Sequence, residues 1–168
     1  MSDPRPRDDR PTRRRLLGAV GTALTLGAAG CLGGDPSPRY ERRDVEAPAD
    51  AEARSPAELS AAAAVATTET NPEVAPIDTV DLVSHEFVYE SGYRGSTVQG
   101  TIENTGPSRL DLGEVRVRVY DTEDRLRGQY VDTVGDLDAG DEWRFVVILL
   151  ESPSAIGSYG IAALGMPT

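Results

Sequence analysis

The sequence predicts an all-β fold, an antiparallel β-sandwich, for residues 77–168. Two observations predict it: short apolar runs with alternating polar residues follow one another, and turn-forming residues separate them at the spacing of short strands. No helix is needed in this part of the chain. The 168 residues and the 39% hydrophobic content suffice for one modest core, so we expect a single domain.

The first predicted strand region begins at Val80. Val80 and Leu82 occupy even positions, whereas Val83, Phe87 and Tyr89 occupy odd positions. Because successive side chains of a strand point to opposite faces, this change of phase predicts a β-bulge or a break between two short strands. The segment from Thr97 to Glu103 alternates in the same way and predicts the next strand.

The remaining strands differ in how many of their faces are apolar. From Glu114 to Tyr120, three valines alternate with two arginines, as expected for one buried and one solvated face. The run from Trp143 to Leu150 is apolar on both faces for most of its length, which predicts a central strand with Trp143 and Phe145 as core anchors. A final strand from Ser158 to Leu164 is expected to close the sheet.

Turn-forming residues connect these strands. The segment from Glu90 to Ser96 contains two glycines, the segment from Asn104 to Pro107 interrupts any strand, and the segment from Asp138 to Asp141 suits a tight reversal. These connections predict hairpins and short loops.

Residues 32–76 have a different composition, rich in Pro, Ala, Gly and charge, and Tyr40 is their only aromatic residue. Such a segment buries too little apolar area to offset the entropy of ordering, so we expect a largely disordered tether. One part of it carries a helix start signal, because Ser55, Pro56 and Glu58 occupy the positions of a capping box. This predicts a short helix from residue 56 to about residue 67, of marginal stability on its own.

The first 30 residues have the pattern of a secretory signal peptide. Six arginines precede the uncharged stretch from Leu16 to Gly30, so a basic region is followed by an apolar one. As a helix, this stretch would reach only about 22 Å, which is short of a hydrocarbon core of about 30 Å. We therefore expect a cleaved signal rather than a membrane-spanning helix.

Two short motifs indicate the kind of signal. Thr12-Arg13-Arg14-Arg15-Leu16-Leu17 resembles the twin-arginine export signal, with Arg13 and Arg14 as its pair and Leu in place of the usual Phe. Ala28-Ala29-Gly30-Cys31 resembles a lipobox, with Ala28 in place of the commoner Leu; the alternative is an incidental cysteine at the end of an apolar run. These resemblances imply export of a folded protein and two acyl chains on Cys31, which would anchor the mature chain at the outer face of the cell membrane.

The charge composition excludes one class of function and suggests an environment. All 17 basic residues are Arg, and the 28 acidic residues give a net charge of −11 and a pI near 4.5. This balance argues against nucleic-acid binding. An acidic, Lys-free composition resembles proteins of salt-loving archaea, in which ionic screening weakens carboxylate repulsion; the alternative is a GC-rich genome that favours Arg codons.

Short motifs along the predicted strands resemble the FxLYD-type domain. They comprise Val98-x-Gly100-x-Ile102-x-Asn104, then Val117-Arg118-Val119-Tyr120-Asp121, then Leu137-x-x-Gly140 with Phe145 following. Val117 stands where the family has Phe, and Val119 where it has Leu. The resemblance implies an immunoglobulin-like sandwich and carries no enzymatic activity. The positions that match the family motif, to which it implies structural roles, are Asn104, Val117, Val119, Tyr120, Asp121 and Gly140.

The residues that could carry chemistry are few. His85 is the only histidine, and Ser84 points to the opposite face of the predicted strand, so we expect a packed histidine and no catalytic site. Two loops are acidic, but neither matches a calcium-loop pattern, and the single cysteine excludes thiolate metal sites. We expect no metal and no cofactor. The two loops contain Asp121, Glu123 and Asp124, and Asp136, Asp138 and Asp141.

The expected domain organisation is a signal peptide at 1–30, the lipidated Cys31 and tether at 31–76, and the sandwich at 77–168. Two hypotheses for function follow from it. The first is a non-enzymatic interaction module that presents loops or a sheet edge to an unknown envelope protein. The second is a small-solute binder or accessory subunit of a transporter. A well-formed pocket of about 300 Å³ or more in the sandwich would favour the solute binder, whereas a packed core with an exposed apolar edge would favour the interaction module.

Overall fold

Two antiparallel sheets packed face to face form the domain, which confirms the predicted all-β sandwich. The computed structural model describes residues 37–168. Its elements in chain order are β1 (Glu41–Asp44), α1 (Pro56–Val65), β2 (Val80–Tyr89), β3 (Ser96–Asn104), β4 (Leu110–Tyr120), β5 (Leu126–Leu137), β6 (Glu142–Ile148), a 3₁₀ turn (Pro153–Ala155) and β7 (Ser158–Pro167).

The strand order explains how the chain closes the sandwich. One sheet has the order β1-β7-β4-β5 and the other β2-β3-β6, and every pair is antiparallel. In an immunoglobulin-like sandwich, β2, β3 and β6 take the places of strands A, B and E, and β4 and β7 those of C and F. The place of strand G is taken by β1, which comes from the N-terminal side of the domain.

Two predicted strand positions are corrected by this order. Strand β6 is an edge strand and not a central one, because it pairs only with β3. Its outer face is also solvated at Val146, which is 37% exposed. Its free edge is covered locally by a side chain, since the backbone N–H of Val146 donates to Oδ2 of Asp132 on β5 (2.9 Å). Strand β7, expected to close its sheet, is instead an interior strand between β1 and β4.

The predicted change of phase in the first strand region is a β-bulge. The pairing of β2 with β3 shifts between Leu82 and Ser84, and Val83 is 51% exposed. Beside the bulge, a Cβ on Gly100 would lie 2.0 Å from the carbonyl oxygen of Ser84 and 2.6 Å from the Phe145 ring. This position therefore accepts only glycine, and the Phe145 ring occupies the space that a side chain would need.

Residues 37–76 are part of the domain, which corrects the expectation of a largely disordered tether. Strand β1 pairs with β7 over four residues, and Val74 is buried with Ala162 and Leu164. The composition of this segment predicted disorder wrongly, because its short pieces are ordered by their contacts with the sheet and not by their own apolar content.

The predicted helix is confirmed as α1. Ser55 and Glu58 form the expected capping box, in which Oγ of Ser55 accepts from the backbone N–H of Glu58. The helix ends at Val65, two residues earlier than expected, because Thr67 is extended and its carbonyl oxygen accepts from Val131 of β5 (2.8 Å).

From Thr67 to Ala75 the chain crosses the outer face of the four-stranded sheet, and we call this segment the strap. At one end Thr67 is bonded to β5, and at the other Ala75 exchanges two backbone hydrogen bonds with Gly165 of β7 (3.0 Å each). Strand β4 lies between β5 and β7, so the strap passes over it. Within residues 37–168, no helix has the length and apolar character that crossing a bilayer requires.

Candidate functional site

The outer face of the three-stranded sheet carries an open trough of about 520 Å³. Residues that alternate with the core residues of β2, β3 and β6 form its surface, so the strand pleat itself directs their side chains outward. The floor of the trough is the backbone at Gly100 and at its two pairing partners, His85 and Phe145. The outward-facing residues of the trough are Ser84, Glu86, Gln99, Thr101, Arg144 and Val146.

A row of three carboxylates lies beside the trough on the same face. Asp81 of β2 pairs in register with Glu103 of β3, and Glu103 pairs with Glu142 of β6. Like charges directly opposite one another destabilise a sheet. No arginine within residues 37–168 lies at ion-pair distance from these carboxylates or from Glu86. The face therefore keeps an uncompensated negative charge at some cost in stability.

The outer face of the four-stranded sheet is covered by the strap, and a buried charge holds the strap in place. Glu114 of β4 is fully buried; its Oε1 accepts from Nε of Arg116 and its Oε2 from the backbone N–H of Asn71 in the strap (2.9 Å). Arg116 also donates to the carbonyl oxygen of Asn71 (2.9 Å). Both partners of the ion pair thus bind the same strap residue, and the buried charge is satisfied.

The part of this face that the strap leaves uncovered is occupied by residues before and within β1. The guanidinium of Arg118 lies over the Tyr40 ring (4.2 Å to its centroid), and that of Arg42 lies over the Tyr120 ring (4.0 Å). Arg42 also donates to Oγ of Ser158 (2.9 Å) and pairs with Asp124. The guanidinium groups of Arg42, Arg116 and Arg118 therefore all have partners within the domain.

His85 is a packed histidine, as its phase in the strand predicts. Its side chain is 3% exposed, Nδ1 lies 2.8 Å from Oη of Tyr159, and Nε2 lies 3.4 Å from Oε2 of Glu41. Burial lowers the pKa of His85 and raises the pKa of Tyr159. Ser84 and the backbone of His85 both line the trough, but both ring nitrogens of His85 lie against Tyr159 and Glu41 and not against Ser84, so the two residues do not form a catalytic pair.

Two motif residues, Asn104 and Gly140, join the loops at one end of the sandwich. The side-chain amide of Asn104 donates to the carbonyl oxygens of Ser108 (2.9 Å), Leu137 (3.0 Å) and Asp138 (3.1 Å), and Asn104 is fully buried. Gly140 has a φ of +80° and donates its N–H to the carbonyl oxygen of Asn104 (2.7 Å). Both residues shape the turn, which explains why only Asn and Gly suit these positions.

The other motif residues lie in β4 and the turn after it. Val117 and Val119 are fully buried in the core between the sheets. Asp121 accepts backbone N–H groups of Arg125 (3.0 Å) and Glu123 (2.9 Å), and the bond from Arg125 is the main reason why the pKa of Asp121 is lowered. These are structural contacts that close the hairpin between β4 and β5.

The acidic loops do not converge on a common point. Asp136 pairs with Arg109 (3.1 Å), and Asp121 is bound by its own turn. Across the part of the chain that the structure describes, no three His, Cys, Asp or Glu side chains are arranged to hold a metal ion. Export and lipidation residues lie outside the described residues: Arg13, Arg14, Ala28, Ala29, Gly30 and Cys31.

The contacts of the strap with β4 are the feature of the domain that sequence reasoning missed. Glu114 and Arg116 stand in a strand whose alternation assigns them to a solvated face. A signal was present in β7, where the four consecutive residues Ile161-Ala162-Ala163-Leu164 are all apolar. A strand that is apolar on both faces is expected to be covered on both.

A comparison with known proteins places the chain in a family. A protein of Methanocaldococcus jannaschii, named as uncharacterized, is 31% identical over 107 residues, which cover 62% of this chain and 73% of that protein. The chain belongs to the same family as this protein. No family model matches the chain, and no solved structure matches it. The name of the M. jannaschii relative states no activity, so the function is argued from the site.

Proposed function

We propose that the chain is a twin-arginine-exported lipoprotein, held by lipid on Cys31 at the outer face of the cell membrane, whose sandwich is a non-enzymatic interaction module. The leader motifs support export and lipidation, and the acidic, Lys-free composition supports a salt-loving archaeal setting. The FxLYD-type resemblance remains part of the proposal, and the structural roles of Asn104, Gly140 and Asp121 agree with it.

The observation that carries the interaction module is the difference between the two outer faces. One is covered by the strap and by the side chains of Tyr40 and Arg42, whereas the other carries an open trough and a row of carboxylates without cationic partners among the described residues. A face that retains such a repulsive row at a cost in stability is expected to gain from a partner.

Charge indicates the chemistry of this partner. The face carries four carboxylates, on Asp81, Glu86, Glu103 and Glu142, against the single guanidinium of Arg144. We propose that it contacts a protein segment that carries arginine or lysine side chains, with Thr101 and Gln99 supplying neutral hydrogen bonds.

Site-specific crosslinking in cells tests this assignment. A photoreactive residue at Thr101, in the trough, should crosslink to one protein, whereas the same residue at Thr133, on the outer face of β5, should not. In both variants the photoreactive residue replaces a threonine of a strand, so the two variants are matched controls. Equal capture from the two positions would refute the assignment of the face.

Export and anchoring are tested separately. The Cys31→Ser variant should leave the membrane fraction, and the wild-type protein should carry the mass of two acyl chains and lack the first 30 residues. A wild-type protein of unprocessed mass would refute this part of the proposal alone.

A small-solute binder remains the second candidate, because the trough volume of about 520 Å³ is within the range of ligand sites. The position of the trough is less favourable for binding a small solute, because the trough lies on an open face of the sheet. The space between the two sheets is filled by core side chains such as Val98, Ile102 and Phe145. Saturable binding of a small solute that Thr101→Trp abolishes would favour this candidate over a protein partner.

A further inference from the structure

We infer that the partner of the outer face of the three-stranded sheet is a two-part protein segment, in which an apolar side chain contacts one half of the face and arginine or lysine side chains contact the other. This inference rests on the proposed interaction module and specifies its partner further. The strand register divides the outward-facing residues into these two halves. The apolar half is formed by Val88, Val146 and Ile148, and the acidic half by Asp81, Glu103 and Glu142.

The apolar half belongs to the outer face and not to the core. Val146 and Ile148 flank Val147 on β6, and Val147 points into the core, where it is 1% exposed. Val88 lies in the same row as Ile148, because both pair with Thr97 of β3. Val146 is exposed, and Val88 and Ile148 are half-buried. A partner that covers these side chains removes apolar area from water, which stabilises the complex.

The acidic half presents three carboxylates in one row. No ion pair among residues 37–168 includes Asp81, Glu103 or Glu142. Glu103, in the middle of the row, is half-buried, so part of its hydration is already lost. A cationic side chain above this row would contact more than one carboxylate, and attraction would then offset the repulsion between them. The basic side chains of the partner are therefore expected at this half.

Arg144 separates the two halves and restricts where the partner is basic. It stands midway between Val146 and Glu142 on β6 and pairs in register with Thr101. A segment with basic side chains along its whole length would place one of them beside this guanidinium, and like charges in contact are unfavourable. A segment whose basic residues are confined to one end avoids this repulsion. The face therefore disfavours a uniformly polybasic segment.

The spacing of the two halves predicts the spacing of the partner's contact groups. Val146 and Glu142 lie four residues apart on β6, which corresponds to about 13 Å at about 3.3 Å per residue. The apolar and basic side chains of the partner should be about as far apart, which requires about four residues in an extended segment or about nine in a helix. The apolar part lies toward the loop 90–95 and the basic part toward the loop 138–141.

Crosslinking in cells from a photoreactive residue at Thr101 tests this inference on the full-length protein. Val146→Ser changes the apolar half, and Glu103→Gln changes the acidic half. The matched controls are Val65→Ser, which replaces an exposed valine of α1, and Glu73→Gln, which replaces an exposed glutamate of the strap. Neither test variant is expected to unfold the domain, because Val146 is exposed and Glu103→Gln removes like-charge contacts.

We expect each test variant to lower the yield of the crosslinked protein several-fold and each control to leave the yield unchanged. Mass spectrometry of the crosslinked partner peptide should show an apolar residue and arginine or lysine at the predicted spacing. In isolated membranes, added salt should weaken the effect of Glu103→Gln but not that of Val146→Ser, because screening acts on charges and not on apolar contacts.

Two outcomes would overturn this inference alone: an unchanged yield in Val146→Ser, or a partner peptide that is basic throughout. The cationic contact of the proposed function does not require the valine and would survive both. An unchanged yield in Glu103→Gln would overturn this inference together with the cationic partner. Equal capture from Thr101 and Thr133, or capture of lipid in place of protein, would overturn the interaction module itself.

Discussion

The two outer faces of this sandwich start from similar strands and end in opposite states. Both carry carboxylates and an arginine on a strand whose other face is buried, as Glu114 and Arg116 of β4 and Glu142 and Arg144 of β6 show. On the four-stranded sheet the pair is buried and binds the strap; on the three-stranded sheet it stays exposed. The alternation of apolar and polar residues in a strand therefore determines which side chains share a face. Whether that face is solvated depends on a segment far away in the sequence, here the strap.

The largest difference between the faces is expected on removing a carboxylate from each. Glu114→Ala leaves Arg116 and the N–H of Asn71 buried without their acceptor, so we expect a loss of about 3–5 kcal/mol in the free energy of unfolding. Glu86→Ala on the open face should change it by less than about 0.5 kcal/mol. Urea unfolding at constant salt measures both; similar losses would contradict the assignment of one covered and one open face.

A pair of valines compares apolar burial on the two faces. Val74 of the strap is 7% exposed, whereas Val146 of β6 is 37% exposed. Val74→Ala should destabilise the domain by about 1–2 kcal/mol and Val146→Ala by less than about 0.5 kcal/mol, because Val74 is almost fully buried whereas Val146 is partly solvated. If the two losses in thermal or urea unfolding are the same, the strap does not seal its face as tightly as its contacts indicate.

The acid stability of the domain depends on a contact between the two sheets. His85 of β2 is buried against Tyr159 of β7, and burial lowers its pKa below the usual 6.5. The unfolded chain therefore binds a proton more readily, so stability is full above pH about 6.5 and falls as pH drops through the lowered pKa. The same contact includes Glu41, which opposes the shift, and Arg43, which adds to it.

A comparison of wild type with His85→Gln measures this contribution. The difference in unfolding free energy between pH 8 and pH 5 should be smaller in the variant, since glutamine does not titrate. A variant with an unchanged pH profile would show that other groups, and not His85, cause the loss of stability in acid.

Local patterns in the sequence predict the strands well and their surroundings poorly. The bulge near Val83, the α1 capping box and the turn at Gly140 follow from side-chain phase and turn chemistry, which act over a few residues. The position of β6 and the state of residues 37–76 depend on pairings between residues far apart in the chain, such as Asp44 with Ser158. Amino-acid composition alone does not predict such long-range pairings.

The trough illustrates the same limit at the level of the candidate site. Ser84 and Thr101 are ordinary strand residues in the sequence, and only the register of β2, β3 and β6 brings them together. Cys31 is the reverse case, because its proposed role is read from a contiguous motif and lies outside the described residues.

The smallest predicted effect concerns the row of carboxylates on the open face. Glu103 lies in register between Asp81 and Glu142, so Glu103→Gln removes both like-charge contacts at once and should stabilise the domain by about 0.2–1 kcal/mol at low salt. The gain should vanish in about 1 M salt, where the screening length is about 3 Å. Urea unfolding at two salt concentrations measures it, with Glu73→Gln, an exposed strap residue outside this row, as the control. A Glu103→Gln variant that is less stable than wild type at low salt would show instead that the carboxylate makes a favourable contact, and the case for a cationic partner would lose its main support.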